Sequence, residues 1–346
     1  MLILLVSYYM KLQNSLKNEF SGKKILITGG TGSIGIGLIK QILPFKPKTI
    51  KVFTNDENSI FETTRKFWKN PVITYEMGDI RDRDRLEVVI RGVDIVFHAA
   101  AMKHVDICEE NPFDAVKTNV VGTSNMIEAS IKENVSKFIL ISTDKATLPS
   151  TTLGASKLLA ERLTINAQTY KSSGKTIFAL VRFGNVIGSR GSVYQIFLDQ
   201  IRKNQALTVT DPRMTRFIMS IQEAAGLILK AVKNAKGGEI FILKMPSVKI
   251  KDLAMNMIEV CENSKKNSNV KIKVSKLRDH ERFHEYLVTP EEIPYCHDLG
   301  DMYKISNQKS TKKPSSKEFS SETANEISQK KLRVVIKELL DDYLPF

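Results

Sequence analysis

Asp144 and Lys145 stand side by side at the end of an apolar run, KFILIST (137–143). A carboxyl group and a lysine held together at a strand end can give a proton to one atom of a bound molecule and take one from another, whereas on an unconstrained loop the same pair is a solvated ion pair. A second set of chemically suggestive residues is the glycine triplet Gly29, Gly32 and Gly35, spaced G-x-x-G-x-x-G between KKILIT (23–28) and a stretch with helical periodicity. Glycines there let a backbone approach a pyrophosphate at a helix N-terminus; a turn that serves only packing is the alternative. A third is His280-Glu281-Arg282-Phe283-His284, which matches the H-E-x-x-H pattern of zinc hydrolases. Its flanks, KLRD and EYLV, do not give the long apolar helix such sites use, and five histidines in the whole chain leave few third ligands.

These groups act only if strands and helices hold them. The apolar runs at 23–28, 48–54, 72–80, 93–100, 137–143, 176–188 and 239–243 read as seven strands, several separated by segments of helical spacing such as 61–68 and 112–132. Apolar strands alternating with helices predict a parallel sheet covered on both faces: an α/β, Rossmann-type doubly wound fold. Residues 21–190 then form the dinucleotide-binding domain, with 239–243 returning to its sheet. Residues 191–305 read as a smaller C-terminal lobe over the strand ends, and 306–346 as a polar loop, in part mobile or ordered by ligand, followed by a closing helix. Residues 1–20 read as a helical extension, with shallow membrane contact as a minor reading. At the end of the second strand Thr54 and Asn55 occupy the place where an acidic residue would select NAD and an arginine NADP. Asp56 follows and could reach the ribose hydroxyls, which leans the choice toward NAD. Asp79, in MGDI, suits either an adenine edge or a helix cap.

Composition narrows the classes further. With 346 residues and 42% hydrophobic content, the chain can bury a full core. Its net charge of +14 comes mainly from scattered lysines, 38 against 14 arginines, rather than the clustered arginines that read nucleic acid. Nucleic-acid binding is therefore not expected; a general bias toward lysine accounts for the charge, and a positive field would also help collect a diphosphate. The apolar start MLILLVSYYM is half the length of a membrane span and lacks a signal peptide's basic lead. Cys108, Cys261 and Cys296 lie far apart, which suits a reducing cytoplasm and offers no disulfide framework.

Taken together, FHAAAMKHV from Phe97, KTNVVGTSN (117–125), ISTDKATLPSTTLGASK (141–157), RFGNVIGSRGSV (182–193) and RMTRF (213–217) resemble the extended short-chain dehydrogenase/reductases. Within them they resemble the configuration-inverting UDP-N-acetylglucosamine 4,6-dehydratases of polysaccharide biosynthesis, over about residues 21–305. The resemblance implies a tightly bound NAD or NADP, a UDP-N-acetylhexosamine substrate and a homo-oligomer, dimer or hexamer. The implied reaction oxidises C4, removes the C5 proton, expels the C6 hydroxyl and returns hydride to C6. Lys145 would take the C5 proton and Asp144 would assist departure at C6. Positive charge from Lys157 and the oxidised nicotinamide would depress the Lys145 pKa. Lys157 would hold the nicotinamide ribose. Thr143 could orient the C4 hydroxyl.

The resemblance assigns the dinucleotide to the turn residues Gly29, Thr31, Gly32, Ser33, Ile34 and Gly35, and to Thr54, Asn55, Asp56, Asp79 and Ile80 at the next two strand ends. It adds Ala99, Ala101, Lys103, Asn119, Lys157 and Val186. Lys103, Asn185, Arg190 and Arg216 would lie near the sugar diphosphate, and Arg278 and Glu281 near the uridine ribose; each charge could instead be a solvated surface group. Two features depart from the family. Leu153 stands where the superfamily has the tyrosine that takes the C4 hydroxyl proton, leaving Lys145, Asp144 or an ordered water for that task. The family's Arg-x-Gly-Glu-Lys reads Arg278-Asp279-His280-Glu281-Arg282, without the glycine. Two rival readings remain: a 4-epimerase on the same scaffold, which needs no C6 chemistry, and a protein that binds both nucleotides without catalysis.

Overall fold

The computed structural model describes residues 16–68, 70–170, 175–262, 270–276, 280–312 and 314–343. Nine strands form the main sheet: β1 (Lys24–Thr28), β2 (Thr49–Thr54), β3 (Ile73–Met77), β4 (Ile95–His98), β5 (Lys137–Ile141), β6 (Ile177–Arg182), β7 (Glu239–Leu243), β8 (Cys296–Asp298) and β9 (Met302–Ile305). Their spatial order is β8-β9-β7-β6-β5-β4-β1-β2-β3. From β3 to β7 all neighbours are parallel, whereas β9 runs antiparallel to β7 and β8 antiparallel to β9. The parallel strands are continuous apolar runs because both faces are covered; Ile25, Leu26, Ile27, Val96, Phe97, Phe138, Ile139 and Leu180 are fully buried or nearly so. Each such side chain contributes roughly 1.5–3 kcal/mol by leaving water.

Helices Ser33–Ile42 and Ile221–Asn234 pack together on one face, and helices Gly122–Lys132 and Thr152–Tyr170 on the other. The first pair meets closely because Gly37 has no side chain: a Cβ there would lie 2.7 Å from Ile221. Strand order reverses between β1 and β4, which opens a crevice at their carboxyl ends.

The chain departs from the expected layout in three places. The run read as one strand over 176–188 divides: β6 ends at Arg182, and Asn185–Val186 pairs with Thr215–Met219 in a separate three-stranded sheet completed by Ser247–Lys249. Gly184 makes the break, since any Cβ there would sit 2.6 Å from Phe217 and 2.8 Å from an Asp144 oxygen. Second, the stretch 191–305, read as lobe apart from its return strand, also gives β8 and β9 to the main sheet. These strands have three and four residues, too few to carry a readable alternation. Third, the polar segment after residue 305 is partly built into the body: Phe319 and Ser321 are buried, and Tyr286 and Ser320 form an antiparallel bridge.

The lobe has its own apolar core, in which Tyr194, Phe197, Leu253 and Met257 meet Leu332, Ile336 and Leu339 of the closing helix Gln329–Tyr343. Residues 16–20 are helical and anchor through Phe20 against Phe45 and Phe97; the rest of the expected N-terminal helix lies outside the described residues. Among the described residues no helix is long and apolar enough to cross a membrane. Cys108, Cys261 and Cys296 are all buried.

Candidate active site

The end of β5 turns into a short 3-10 helix, Asp144–Ala146, whose Lys145 amide is capped by the Thr143 hydroxyl. The turn delivers Asp144 inward and Lys145 toward a cleft. Asp144 is fully buried; its Oδ1 accepts from the Lys145 ammonium at 3.0 Å and from the Thr143 hydroxyl at 3.0 Å, and its Oδ2 has no hydrogen-bond partner. Burial pushes the Asp144 carboxyl above the usual carboxylate range, against the pull of Lys145 and with the help of Glu285. Lys145 is held on its other side by Glu285, Nζ to Oε1 3.2 Å. Desolvation is the largest influence on Lys145 and lowers its pKa, but the combined carboxylates of Asp144 and Glu285 outweigh it and leave the value raised. The expected depression counted Lys157 and the nicotinamide but not Glu285, a second carboxyl group facing the ammonium where the sequence offered one.

The cleft has a volume of about 150 Å³ and is lined by Val105, Asp106, Lys145, Ser150, Thr151, Arg216, His280, Glu281, Arg282 and Glu285. Arg216 comes from the strand Thr215–Met219; its guanidinium donates to the carbonyls of Thr215 at 2.7 Å and Phe283 at 3.1 Å and faces Glu281 at 3.6 Å and Glu285 at 3.9 Å. Lys145, Arg216 and Glu281 thus share one cavity. Arg278 lies outside the described residues. The His280–His284 stretch is not helical: His280 has φ 64°, and the His284 ring bonds the Thr215 hydroxyl at 2.8 Å. Its two imidazoles are not stacked one helical turn apart as the H-E-x-x-H reading requires.

A smaller cavity of about 20 Å³ adjoins Arg216 and is lined by Asn185, Val186 and Ser192 among others; the Asn185 Oδ1 and Ser192 Oγ atoms in it are buried without partners.

Behind the cleft, Lys157 is buried on helix Thr152–Tyr170 and donates to the Ile141 carbonyl at 2.7 Å. Burial lowers its pKa to about 8, opposed by Glu161. Leu153, one turn earlier, is buried with Cys108 and Ala115 and flanked by Met102 and Val105, so an apolar contact fills the place of the missing tyrosine. Asn119 ties this helix to the end of β4, accepting from the Met102 amide and donating to the Ser156 hydroxyl.

A second group of expected residues converges at the glycine turn. Gly29 has φ 63°, and a Cβ on it would lie 2.8 Å from the Ala100 amide nitrogen; at Gly35 it would lie 2.4 Å from the Gly30 carbonyl. Helix Ser33–Ile42 begins at Gly32 with no side-chain cap, so its first amides are available to an anion, and this bare cradle fits a dinucleotide pyrophosphate. Arg190 closes over the turn, its amide donating to Ser33 Oγ at 3.1 Å and its guanidinium to the Thr31 carbonyl, while Lys103 donates to the Arg190 carbonyl. Burial, then Arg190, lowers the Lys103 pKa. Ala99 and Ala101, at the end of β4, and Ile34 are half-buried here.

The third group lies at the ends of β2 and β3. Asn55 donates to Asp79 at 3.3 Å, and Arg81 clamps the same carboxylate at 3.0 and 2.7 Å, which holds Asp79 below the usual carboxylate range. Asp56 caps helix Glu57–Lys66 through the Ser59 amide at 3.1 Å. Thr54 and Ile80 are buried, Ile80 against Gly122.

The sequence reading passed over Glu285 altogether. Its one signal is an acidic residue directly before the apolar Tyr286-Leu287-Val288. Equally unread is the buried cluster beneath the site, where Arg182 binds Glu161 at 3.1 and 2.7 Å and Glu292 at 2.8 and 3.0 Å.

Known proteins resemble the chain over most of its length. The family described as polysaccharide biosynthesis protein matches residues 25–307. An uncharacterized membrane protein of Methanocaldococcus jannaschii is 48% identical over 331 residues, 94% of this chain and 98% of that protein. The inverting UDP-N-acetylglucosamine 4,6-dehydratase of Campylobacter jejuni is 40% identical over 289 residues, 83% of this chain and 84% of its own. The UDP-glucose 4-epimerase of Rickettsia rickettsii is 39% identical over 290 residues, 83% of each. Among solved structures, Pen from Bacillus thuringiensis aligns with a TM-score of 0.88 at 43% identity, covering 92% of this chain and 98% of that one.

Proposed function

The chain belongs to the polysaccharide biosynthesis protein family, and from that premise we propose that it is a sugar-nucleotide 4,6-dehydratase acting on UDP-N-acetylglucosamine with NAD or NADP. The observation that carries the reading is the pair at the end of β5: a buried, partnerless carboxyl oxygen on Asp144 beside a lysine that reaches the cleft. An epimerase needs proton transfer only at the C4 hydroxyl, whereas dehydration also needs an acid at C6 and a base at C5, and this pair supplies both.

The glycine turn, Thr54, Asn55 and Lys157 would hold the dinucleotide, which when bound takes hydride from C4 and later returns it to C6. Asp144, whose carboxyl burial makes easier to protonate, donates through Oδ2 to the departing C6 hydroxyl, which leaves as water. Lys145 passes its own proton to solvent in the open cleft and then accepts the C5 proton, while the C4 hydroxyl proton leaves to an ordered water as hydride departs. Thr143 orients the C4 hydroxyl, since its Oγ lies beside Asp144 at the cleft end of β5. Arg216 and Lys103 supply positive charge for the diphosphate, and Arg190 follows the same logic at the glycine turn.

The Rickettsia relative supports a second reading, a UDP-sugar 4-epimerase. The two reactions differ in product mass by one water. The deciding experiment is mass spectrometry of UDP-N-acetylglucosamine incubated with the purified protein in deuterated water, with added NAD or NADP. Loss of water with deuterium at C5 supports the dehydratase. An unchanged mass with an inverted C4 supports the epimerase and removes the roles given to Asp144 and Lys145.

A further inference from the structure

We infer that Glu285 is a positioning residue for this reaction: reaching in from the lobe, it fixes the Lys145 ammonium against Asp144 and sets the pH at which that lysine becomes a base. The inference rests on the dehydratase reading for its kinetic consequence, but its electrostatic content stands on geometry alone.

Lys145 Nζ lies between two carboxylate oxygens, Asp144 Oδ1 at 3.0 Å and Glu285 Oε1 at 3.2 Å. The two carboxyl groups come from different parts of the fold. Asp144 is fixed by the turn after β5, while Glu285 is locked into the lobe by Ser321, whose hydroxyl accepts from the Glu285 amide at 2.9 Å and whose amide donates to the Glu285 carbonyl at 2.9 Å. Ser321 Oγ also donates to the Thr215 carbonyl at 3.2 Å, so Glu285 cannot drift from Arg216 on the neighbouring residue. Glu285 is only 4% exposed. A carboxylate that deep needs cations beside it; Lys145 and Arg216 stand nearest, and Arg282 adds its charge from further off.

The cluster divides its charges unequally. Burial works against the ionised form of Glu285, but Lys145 and then Arg216 hold it below the usual carboxylate range, whereas Asp144 stands above it. Of the two carboxyl groups Asp144 is therefore the easier to protonate, while Lys145 and Arg216 favour the charged form of Glu285. Asp106, His280, Glu281 and Arg282 also line the cleft, so an incoming diphosphate meets Arg216 and Arg282 and competes with Glu285 for their charge.

The test compares the wild-type protein with Glu285→Gln and Glu285→Asp. Competitive acetylation of Lys145 with acetic anhydride, followed by peptide mass spectrometry across a pH series, reads the lysine's titration without any turnover. Glu285→Gln should move its midpoint to lower pH by about one unit or more, the scale of losing one close opposite charge. Glu285→Asp, which keeps the charge on a shorter arm, should move it less. An unmoved midpoint in folded Glu285→Gln overturns the inference; if that variant does not fold, an unmoved midpoint in Glu285→Ala, which also removes the charge, does so. With UDP-N-acetylglucosamine, the rising limb of kcat against pH should shift with the labelling midpoint. A limb that stays in place while kcat falls uniformly would mark Glu285 as merely structural and also overturn the inference. Shifted labelling without any loss of water would instead sink the dehydratase reading and leave the Glu285–Lys145 linkage standing.

Discussion

Replacing Lys157 by Met should make the protein more stable at neutral pH and nearly inactive. Lys157 is a buried ammonium whose pKa is lowered by desolvation to about 8. In the unfolded chain it titrates at the ordinary lysine value of about 10.5. Between those two values the unfolded chain holds one more proton than the folded one, so stability rises with pH across that window; below about pH 8 both states are protonated and the folded state carries a constant disadvantage. The gap corresponds to about 3 kcal/mol. Methionine removes that disadvantage but leaves the Ile141 carbonyl without its 2.7 Å donor, a loss of about 1–3 kcal/mol. The net gain at pH 7 is then about 1 kcal/mol. At about pH 10.5, where the ammonium no longer weighs on the wild type, only the lost bond remains and the variant should be the less stable protein. Urea unfolding of both proteins at the two pH values reads the quantity directly, and other groups that titrate in this range cancel in the difference. A stability difference that does not change by about 3 kcal/mol between the two conditions would refute the claim that a buried charge sits at this position. Turnover should fall about 100-fold or more, since Lys157 is the group proposed to hold the nicotinamide ribose.

Other outcomes follow from the same geometry. Asp144→Asn should lower kcat by about 100-fold or more with little change in KM, because it removes an acid and leaves the shape intact, as steady-state kinetics would read. Arg182→Met strands Glu161 and Glu292 in the core and should cost about 3–5 kcal/mol by denaturant titration, with the site lost as a secondary effect. Gly35→Ala forces a methyl group to within 2.4–2.6 Å of Gly30 backbone atoms; it should lower stability by about 1–3 kcal/mol and weaken NAD or NADP binding measured by calorimetry. Asp56→Ala should cost about 1 kcal/mol in thermal unfolding through the lost cap, and an unchanged dinucleotide affinity would assign Asp56 to capping alone.

The parallel sheet was legible because its strands are buried on both faces and so announce themselves as unbroken apolar runs; β1 to β5 fall inside the expected segments, and β6 and β7 can be read in the same way. The glycine turn was legible for a related reason, since only glycine tolerates the backbone approach at positions 29 and 35. What could not be read were features made by contacts distant in sequence. Gly184 breaks an apolar run only because Phe217 and Asp144 converge on it. β8 and β9 are too short for a period, and the lobe's helix at 250–262 gives no sign of which face meets the closing helix. Lys145 could be singled out from its neighbour Asp144, but the second carboxyl group beside it could not, because Glu285 lies far along the chain next to a segment with a zinc-like pattern.

The salt link between residues 145 and 285 also carries a consequence for biosynthesis. The half of the chain that holds the acid and the amine leaves the ribosome well before the segment carrying Glu285, and Ser321, which locks that glutamate, emerges later still. A nascent chain with its first five strands in place would therefore have a cradle for the dinucleotide but an incomplete proton-transfer cluster. Contacts of such sequence separation form late and slowly. Catalytic competence should consequently trail dinucleotide binding during refolding, so that the protein becomes a nucleotide carrier before it becomes an enzyme.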